Sequence, residues 1–243
     1  MSVGVSRKEN VLTFSINVPE ARNALDLPTV ADLRKVLADV RDDPDLRLVV
    51  MQSGLPGVFS LGMNLEKLDE QQDLGVWESL SAIAGFADLL IDLATMPVPT
   101  VSVVDGIAAA GGVELACVCD ILIGTNNAAF SIAQLRKGIF RFITSAVLVP
   151  RIGHGRFLHW ALSGQSYPAK KLLDLGLIHQ LCSPDERERS VSLFSERILG
   201  FEPATLRAGV AALRMEAEAE IRGRIRHALS LFTLNCLAKR SSP

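Results

Sequence analysis

Aromatic side chains are scarce, at ten Phe, two Trp and one Tyr in 243 residues. A core made from this chain must therefore be mostly Val, Leu, Ile and Ala, and apolar types in total make up 49% of it. An excess of either charge is missing too: 25 Lys and Arg stand against 27 Asp and Glu, a formal net charge of −2. That balance argues against a protein whose main work is holding nucleic acid, because neutralising phosphates draws on a basic surplus. The apolar fraction excludes a disordered chain. Cys117, Cys119, Cys182 and Cys236 form no CxxC pair and no zinc-type spacing with histidine, so no metal site is expected. Cys117 and Cys119 stand in an apolar run and are expected as small buried thiols. A long uninterrupted apolar run is absent as well. Val98 to Ile123 is broken by Pro99, Asp105, Glu114 and Asp120, which fits a buried interior and not a membrane span. Met1 to Val11 carries Arg7, Lys8 and Glu9 and does not resemble a secretory leader. The expectation is a soluble, cytoplasmic protein with neither membrane nor nucleic acid as partner.

What is present is a strand–helix rhythm. A chain of this length buries roughly 70–75% of its unfolded surface, so one substantial core is available. Val11 to Asn17 alternates and is rich in strand formers. Val30, Leu33, Leu37 and Val40 recur at helical spacing, closed by Asp42-Asp43-Pro44. Arg47 to Gln52, Val98 to Asp105, Asp120 to Gly124 and Ala129 to Ser131 are expected strands, with Val76 to Thr95 a long helix between them. Beyond about residue 145 the strand signal thins. His154 to Leu162, Pro168 to Leu175, Pro184 to Leu199 and Thr205 to Leu237 are expected helices, with Ile221, Ile225, Leu229 and Phe232 on one face of the last. The fold class is α/β with crossover connections and a buried sheet. Residues 1–183 are expected to form the core that carries the site. Residues 184–243 are expected to form a helical region packed on that core or on a neighbouring subunit.

Two glycine-containing loops precede helical segments. Gly62-Met63-Asn64 leads to Leu65, and Ala110-Gly111-Gly112 leads to Val113. A helix start offers unpaired backbone N–H groups and partial positive charge, and two such starts aimed at one point would stabilise a developing oxyanion. Glycines before helices are also commonplace, and neither run is GxGxxG or a P-loop. Glu114 stands in the first turn after the second loop. A helix end favours a carboxylate there on electrostatic grounds alone, while apolar neighbours would equip it as a general acid or base. The four histidines have no partner in a nucleophile motif, and GxSxG is absent. Arg222, Arg224 and Arg226, balanced by Glu216, Glu218 and Glu220, are expected on a solvated helix face. Tyr167 is expected as packing.

Five segments in order resemble the crotonase superfamily, the enoyl-CoA hydratase/isomerase family. They are Asn17 to Leu25 (NVPEARNAL), Phe59 to Leu65 (FSLGMNL), Asp105 to Ala116 (DGIAAAGGVELA) with Cys119-Asp120-Ile121, Arg151-Ile152-Gly153, and Leu162-Ser163-Gly164 followed by Ala169 and Gly176-Leu177-Ile178. The resemblance implies a spiral of ββα turns with a helical C-terminal trimerisation region. It implies that the Met63 and Gly111 N–H groups form the oxyanion hole and that Glu114 is one of two hydratase carboxylates. Ala21, Arg22 and Ala24, with Leu61 and Gly62, would cradle the adenine end of coenzyme A. Coenzyme A enters as part of the substrate, with no separate cofactor, and the assembly would be a homotrimer or hexamer.

The sequence departs from the pattern at the second carboxylate, where Gln134 stands twenty residues after Glu114. A neutral amide holds a water or a carbonyl but exchanges no proton at neutral pH. Gly138 to Phe142 replaces a Gly/Pro-rich turn, and Arg141 within it could meet an acidic substrate or face solvent. Asn64 replaces the usual Asp and caps a helix about as well. The resemblance therefore implies hydration or dehydration of an enoyl thioester in lipid metabolism, with single-carboxylate chemistry. The alternatives are a polyketide-type dehydratase or decarboxylase acting on a carrier-protein-bound acyl group, and a catalytically impaired partner subunit. Turnover of a short enoyl-CoA separates an enzyme from a binding partner.

Overall fold

The computed structural model describes residues 2–64, 76–132 and 140–240. Its strands and helices in chain order begin with β1 (Val3–Lys8), β2 (Val11–Ile16), β3 (Ala24–Leu25), α1 (Leu27–Arg41), β4 (Leu48–Ser53), β5 (Val58–Ser60) and β6 (Gly62–Met63). Then come α2 (Val76–Ala94), β7 (Thr100–Val104), β8 (Ile107–Ala109), α3 (Gly111–Val118), β9 (Ile121–Thr125) and β10 (Ala129–Ser131). The chain closes with α4 (Phe142–Ile152), α5 (His154–Ser163), β11 (Ser166–Pro168), α6 (Ala169–Asp174), β12 (Gln180–Cys182), α7 (Arg187–Leu199) and α8 (Pro203–Arg240).

Successive strands are dealt to two sheets. One has the order β1-β2-β4-β7-β9-β12 and the other β11-β10-β8-β5, with β3 and β6 pairing separately. Thus β4 and β5, β7 and β8, and β9 and β10 each contribute one strand to either sheet before the chain moves on, which is the expected spiral. Pairing is parallel except for β1 with β2 and β10 with β11. Parallel central strands are covered on both faces and so are continuously apolar. Accordingly Leu48 to Met51 and all of β7 are buried. The edge strand β1 is mostly exposed and ends in Arg7-Lys8, charges that discourage further pairing.

Helix α1 starts where Asp26 accepts the Thr29 N–H (3.1 Å) and buries Val30, Leu33 and Leu37. The C-terminal α8 packs on the core of its own chain, with Ile225 and Ala228 inside and Ile221, Leu229 and Phe232 against them. Trp160 is fully buried, stacks on Tyr167 at 4.7 Å and donates its indole N–H to the Gln165 carbonyl (3.0 Å). Packing is thus Tyr167's role. Arg222 and Arg224 pair with Glu218 and Glu220 along α8, whereas Arg226 crosses to Asp88 of α2. Cys117 and Cys119 are buried, and burial pushes both thiols up to about 12. No helix among the described residues is long and apolar enough to cross a membrane.

The structure corrects the sequence reading at several elements, beginning with strand β1 (Val3–Lys8), which was not expected. Short strands β11 and β12 exist beyond residue 145, and α4 fills 142–152, where no helix was expected. Its internal Pro150 and aromatic start masked the helical pattern. The Gly106 to Gly112 run includes strand β8, and Gly62-Met63 is itself a short strand; the helix expected from Leu65 falls outside the described residues.

At the β9–β12 edge, the Leu122 N–H donates to His179 Nδ1 (3.0 Å) while the His179 N–H donates to the Leu122 carbonyl (2.9 Å). Desolvation, with Arg151 adding to it, holds this histidine below its ordinary value of 6.5. Below about pH 6.5 the unfolded chain therefore binds more protons than the folded one, so this contribution is complete above that pH and is lost as pH falls. We expect the urea midpoint to drop more between about pH 7.5 and 5.5 in the parent than in His179→Gln; equal drops would contradict the assignment. His179 is exposed, so the difference is modest.

Candidate active site

Asn23 anchors the first half of the site. Fully buried and at φ +56°, it shares its two Nδ2 hydrogens among the Ile16 carbonyl (3.1 Å), the Phe59 carbonyl (3.0 Å) and Ser53 Oγ (2.9 Å), while Oδ1 accepts the Val18 N–H (2.8 Å). These bonds tie β2, β4 and β5 to the start of β3. Strand β3 then pairs with β6 in parallel, Ala24 opposite Gly62 and Leu25 opposite Met63. The Asn64 N–H donates to the Leu25 carbonyl (2.8 Å). Backbone N–H groups alternate along a strand, so the Met63 N–H points away from β3.

The second half is the start of α3, which lies against this ribbon. Gly62 has φ +82°, and a Cβ there would come within 2.4 Å of the Gly111 nitrogen. A Cβ on Gly112 would come within 2.0 Å of the Ser60 carbonyl oxygen. Glycine is needed here for close approach. Ala110, preceding the helix, sits at φ 54°, ψ −121°, a region that costs a non-glycine residue of order 1–3 kcal/mol. Its N–H donates to the Ser131 carbonyl (2.9 Å), and its carbonyl accepts from Val113 (3.0 Å) and Glu114 (3.4 Å), so the surrounding bonds hold the strained turn. Gly111 and Gly112 open the helix, and first-turn N–H groups have no intrahelical acceptor.

Glu114 is 3% exposed, and its Oε1 accepts the Thr144 hydroxyl from α4. Arg141 Nη2 lies 3.5 Å from the same oxygen, with side chains 10% and 4% exposed for Arg and Glu. Burial holds the Arg141 guanidinium below its usual range, and the Glu114 charge opposes that shift. Met63, Ala110, Gly111, Glu114 and Arg141 line one cavity of about 50 Å³, walled by apolar residues that include Phe86, Phe140, Phe142 and Phe232. The Phe140 and Phe142 rings are in contact at 5.0 Å. The arrangement places two backbone segments and one buried carboxyl around a small, largely apolar space.

The structure therefore brings together four expected residues, Met63, Gly111, Glu114 and Arg141. Gly62 and Ala24 face each other across the β3–β6 pair, and Leu61 precedes it. Ala21 and Arg22 end the 3-10 turn that leads into β3, Arg22 with φ 51° and its N–H on the Pro19 carbonyl (3.1 Å). None of Ala21, Arg22, Ala24 and Leu61 lines the cavity. Gln134 lies outside the described residues. A solvent-facing Arg141 is overturned: the guanidinium is drawn inside by the Glu114 carboxylate. Sequence reading missed Thr144, Asn23 and Ala110 as site residues. Thr144 had no signal; Asn23 had one, an amide within a recognised segment and beside Arg22 at the chain reversal, and Ala110 stood in the second glycine-containing loop. No group of His, Cys, Asp and Glu suited to a metal occurs among the described residues.

The model of the family described as enoyl-CoA hydratase/isomerase matches residues 6–235. The chain is 28% identical over 219 residues to the mouse (Mus musculus) enoyl-CoA hydratase domain-containing protein 2, mitochondrial, covering 88% of this chain and 73% of that protein. It is 29% identical over 200 residues to a putative enoyl-CoA hydratase of Thermus thermophilus, covering 82% and 79%. The crystal structure of an enoyl-CoA hydratase from Bacillus halodurans superposes with a TM-score of 0.91 over 97% of this chain and 95% of that one; at 21% identity this likeness is one of fold.

Proposed function

The chain belongs to the enoyl-CoA hydratase/isomerase family, and from that premise we propose that it adds water to, or removes it from, an enoyl thioester of coenzyme A. The observation that carries this reading is the convergence of Met63, Gly111 and Glu114 on one cavity. The thioester carbonyl oxygen accepts the N–H groups of Met63 and Gly111. Glu114 takes a proton from water as the water oxygen bonds to the β-carbon. The electron pair of the double bond moves through the α-carbon onto the thioester oxygen, where the two N–H groups hold the enolate charge. Glu114 then delivers its proton to the α-carbon, and the carboxylate is regenerated. Dehydration is the reverse. With Gln134 in place of a second carboxylate, Glu114 performs both proton steps. The β3–β6 ribbon, with Ala21, Arg22, Ala24, Leu61 and Gly62, cradles the adenine end, and the Ala24–Gly62 pairing supports a continuous surface for it. A homotrimer or hexamer is part of the same reading, supported by Leu213 and Met215 standing 78% and 82% exposed on α8.

The test is loss of conjugated-thioester absorbance with crotonyl-CoA. Met63→Pro removes one oxyanion donor and is expected to raise the barrier by about 2.7–4 kcal/mol, some 10²–10³-fold in kcat, while Met63→Ala keeps the N–H and changes little. A folded Met63→Pro protein with full activity would sink the assignment. No turnover of crotonyl-CoA or of any other enoyl thioester by the parent would sink the reading itself.

A further inference from the structure

The fold treats the two carboxyl oxygens of Glu114 differently. Thr144, the third residue of α4, is fully buried and donates its hydroxyl to Glu114 Oε1, 30 residues back in the chain. A threonine inside a helix ordinarily turns its hydroxyl to a local backbone carbonyl; this one crosses to another helix. Arg141 Nη2 approaches the same Oε1, at 3.5 Å. Both contacts fall on Oε1. The last torsion of a glutamate is broad and nearly two-fold, so an unanchored carboxyl presents either oxygen. A general acid–base needs one oxygen at a set distance and angle from the reacting proton.

On the reading that Glu114 moves the proton, we propose that Thr144 is a positioning residue: with Arg141 it holds Oε1 and presents Oε2 as the one reacting oxygen. The surroundings leave this work to those two donors. Of the described residues lining the cavity, Glu114 and Arg141 are the charged ones, and α2 and α8 contribute apolar side chains such as Phe86 and Phe232. Arg141 supplies opposite charge at a distance longer than a good hydrogen bond. Thr144 supplies the directional bond. Thr144 is fully buried, and Thr144→Val keeps the branched shape while removing the hydroxyl that Glu114 accepts.

Two measurements test this. With crotonyl-CoA, Thr144→Val is expected to lower kcat about ten- to a hundredfold with little change in KM, and Thr144→Ser to restore it. Independently of turnover, the infrared carboxylate band of Glu114 is isolated as the difference between the isotope-labelled parent and Glu114→Gln. It is expected to shift in Thr144→Val and in Thr144→Ala and to return in Thr144→Ser. An unshifted band overturns the proposal, as does a parent-like kcat in Thr144→Val of an active enzyme. If the parent is inert on enoyl thioesters, the functional reading fails, and the band alone then decides whether Thr144 holds Glu114. If Thr144→Val does not fold, the Ala and Ser variants make the same comparison.

Discussion

Glu114→Gln is expected to abolish useful turnover and to weaken the fold at the same time. The amide keeps the side-chain shape and its oxygen can still accept the Thr144 hydroxyl, so local packing survives. It cannot take or return a proton, which removes about 10²–10⁴-fold in rate for one acid–base group. The parent has no second carboxylate in the matching segment, where Gln134 stands, so the upper end of that range is expected. Stability falls for a separate reason. The substitution removes the negative charge 3.5 Å from a guanidinium only 10% exposed. Taking one partner from a buried pair typically costs about 3–5 kcal/mol, whereas replacing both by apolar groups is often nearly neutral. The double variant Glu114→Gln/Arg141→Met should therefore regain much of the lost urea midpoint while staying inactive. Parent-like activity in Glu114→Gln would remove the carboxyl from the mechanism. No recovery in the double variant would show that the Arg141 charge is not what destabilises the single one.

The second large effect is expected from Gly112→Ala. The added Cβ would stand 2.0 Å from the Ser60 carbonyl oxygen and 2.8 Å from its carbon, both backbone atoms that no rotamer change can move. Ser60 is also a junction, since its hydroxyl donates to the Asn23 carbonyl (2.7 Å) and accepts the Gly62 N–H (3.1 Å). Relieving the clash must push α3 away from β5 and β6, which separates Gly111 from Met63. Overpacking of this kind costs about 3 kcal/mol or more, and activity should fall with it. Gly155→Ala in α5 is the control. Its Cβ meets nothing within 4 Å, and the change should be neutral or stabilising by up to about 1 kcal/mol. A Gly112→Ala protein as stable as Gly155→Ala would contradict the close packing of α3 on the ribbon.

Much of this molecule was legible in the chain because its signals are local. Continuous apolar runs marked β4 and β7 as buried parallel strands, and the 3.6-residue spacing of Val30, Leu33 and Leu37 marked α1. Met63, Gly111 and Glu114 were legible as a set through the resemblance of their segments to a known family. The isolated residues supported that role no better than ordinary helix starts. Strand β11 escaped because Pro168 reads as a helix start, and β12 because Gln180-Leu181-Cys182 carries no run of strand formers; each exists through its partner strand.

The sequence by itself determined the α/β rhythm, the buried thiols, the glycines at the head of α3 and the family. Each depends on residue type and spacing over a few turns of chain. The tertiary structure alone decided what surrounds Glu114. Arg141 was open to solvent or substrate on sequence grounds, and Thr144 had no signal at all. Both reach Glu114 because the spiral brings the start of α4 over the first turn of α3, across 30 residues. The physical reason is that burial leaves a charge or a hydroxyl no water to bond. Its partner is then whichever polar group the packing of distant segments places within reach.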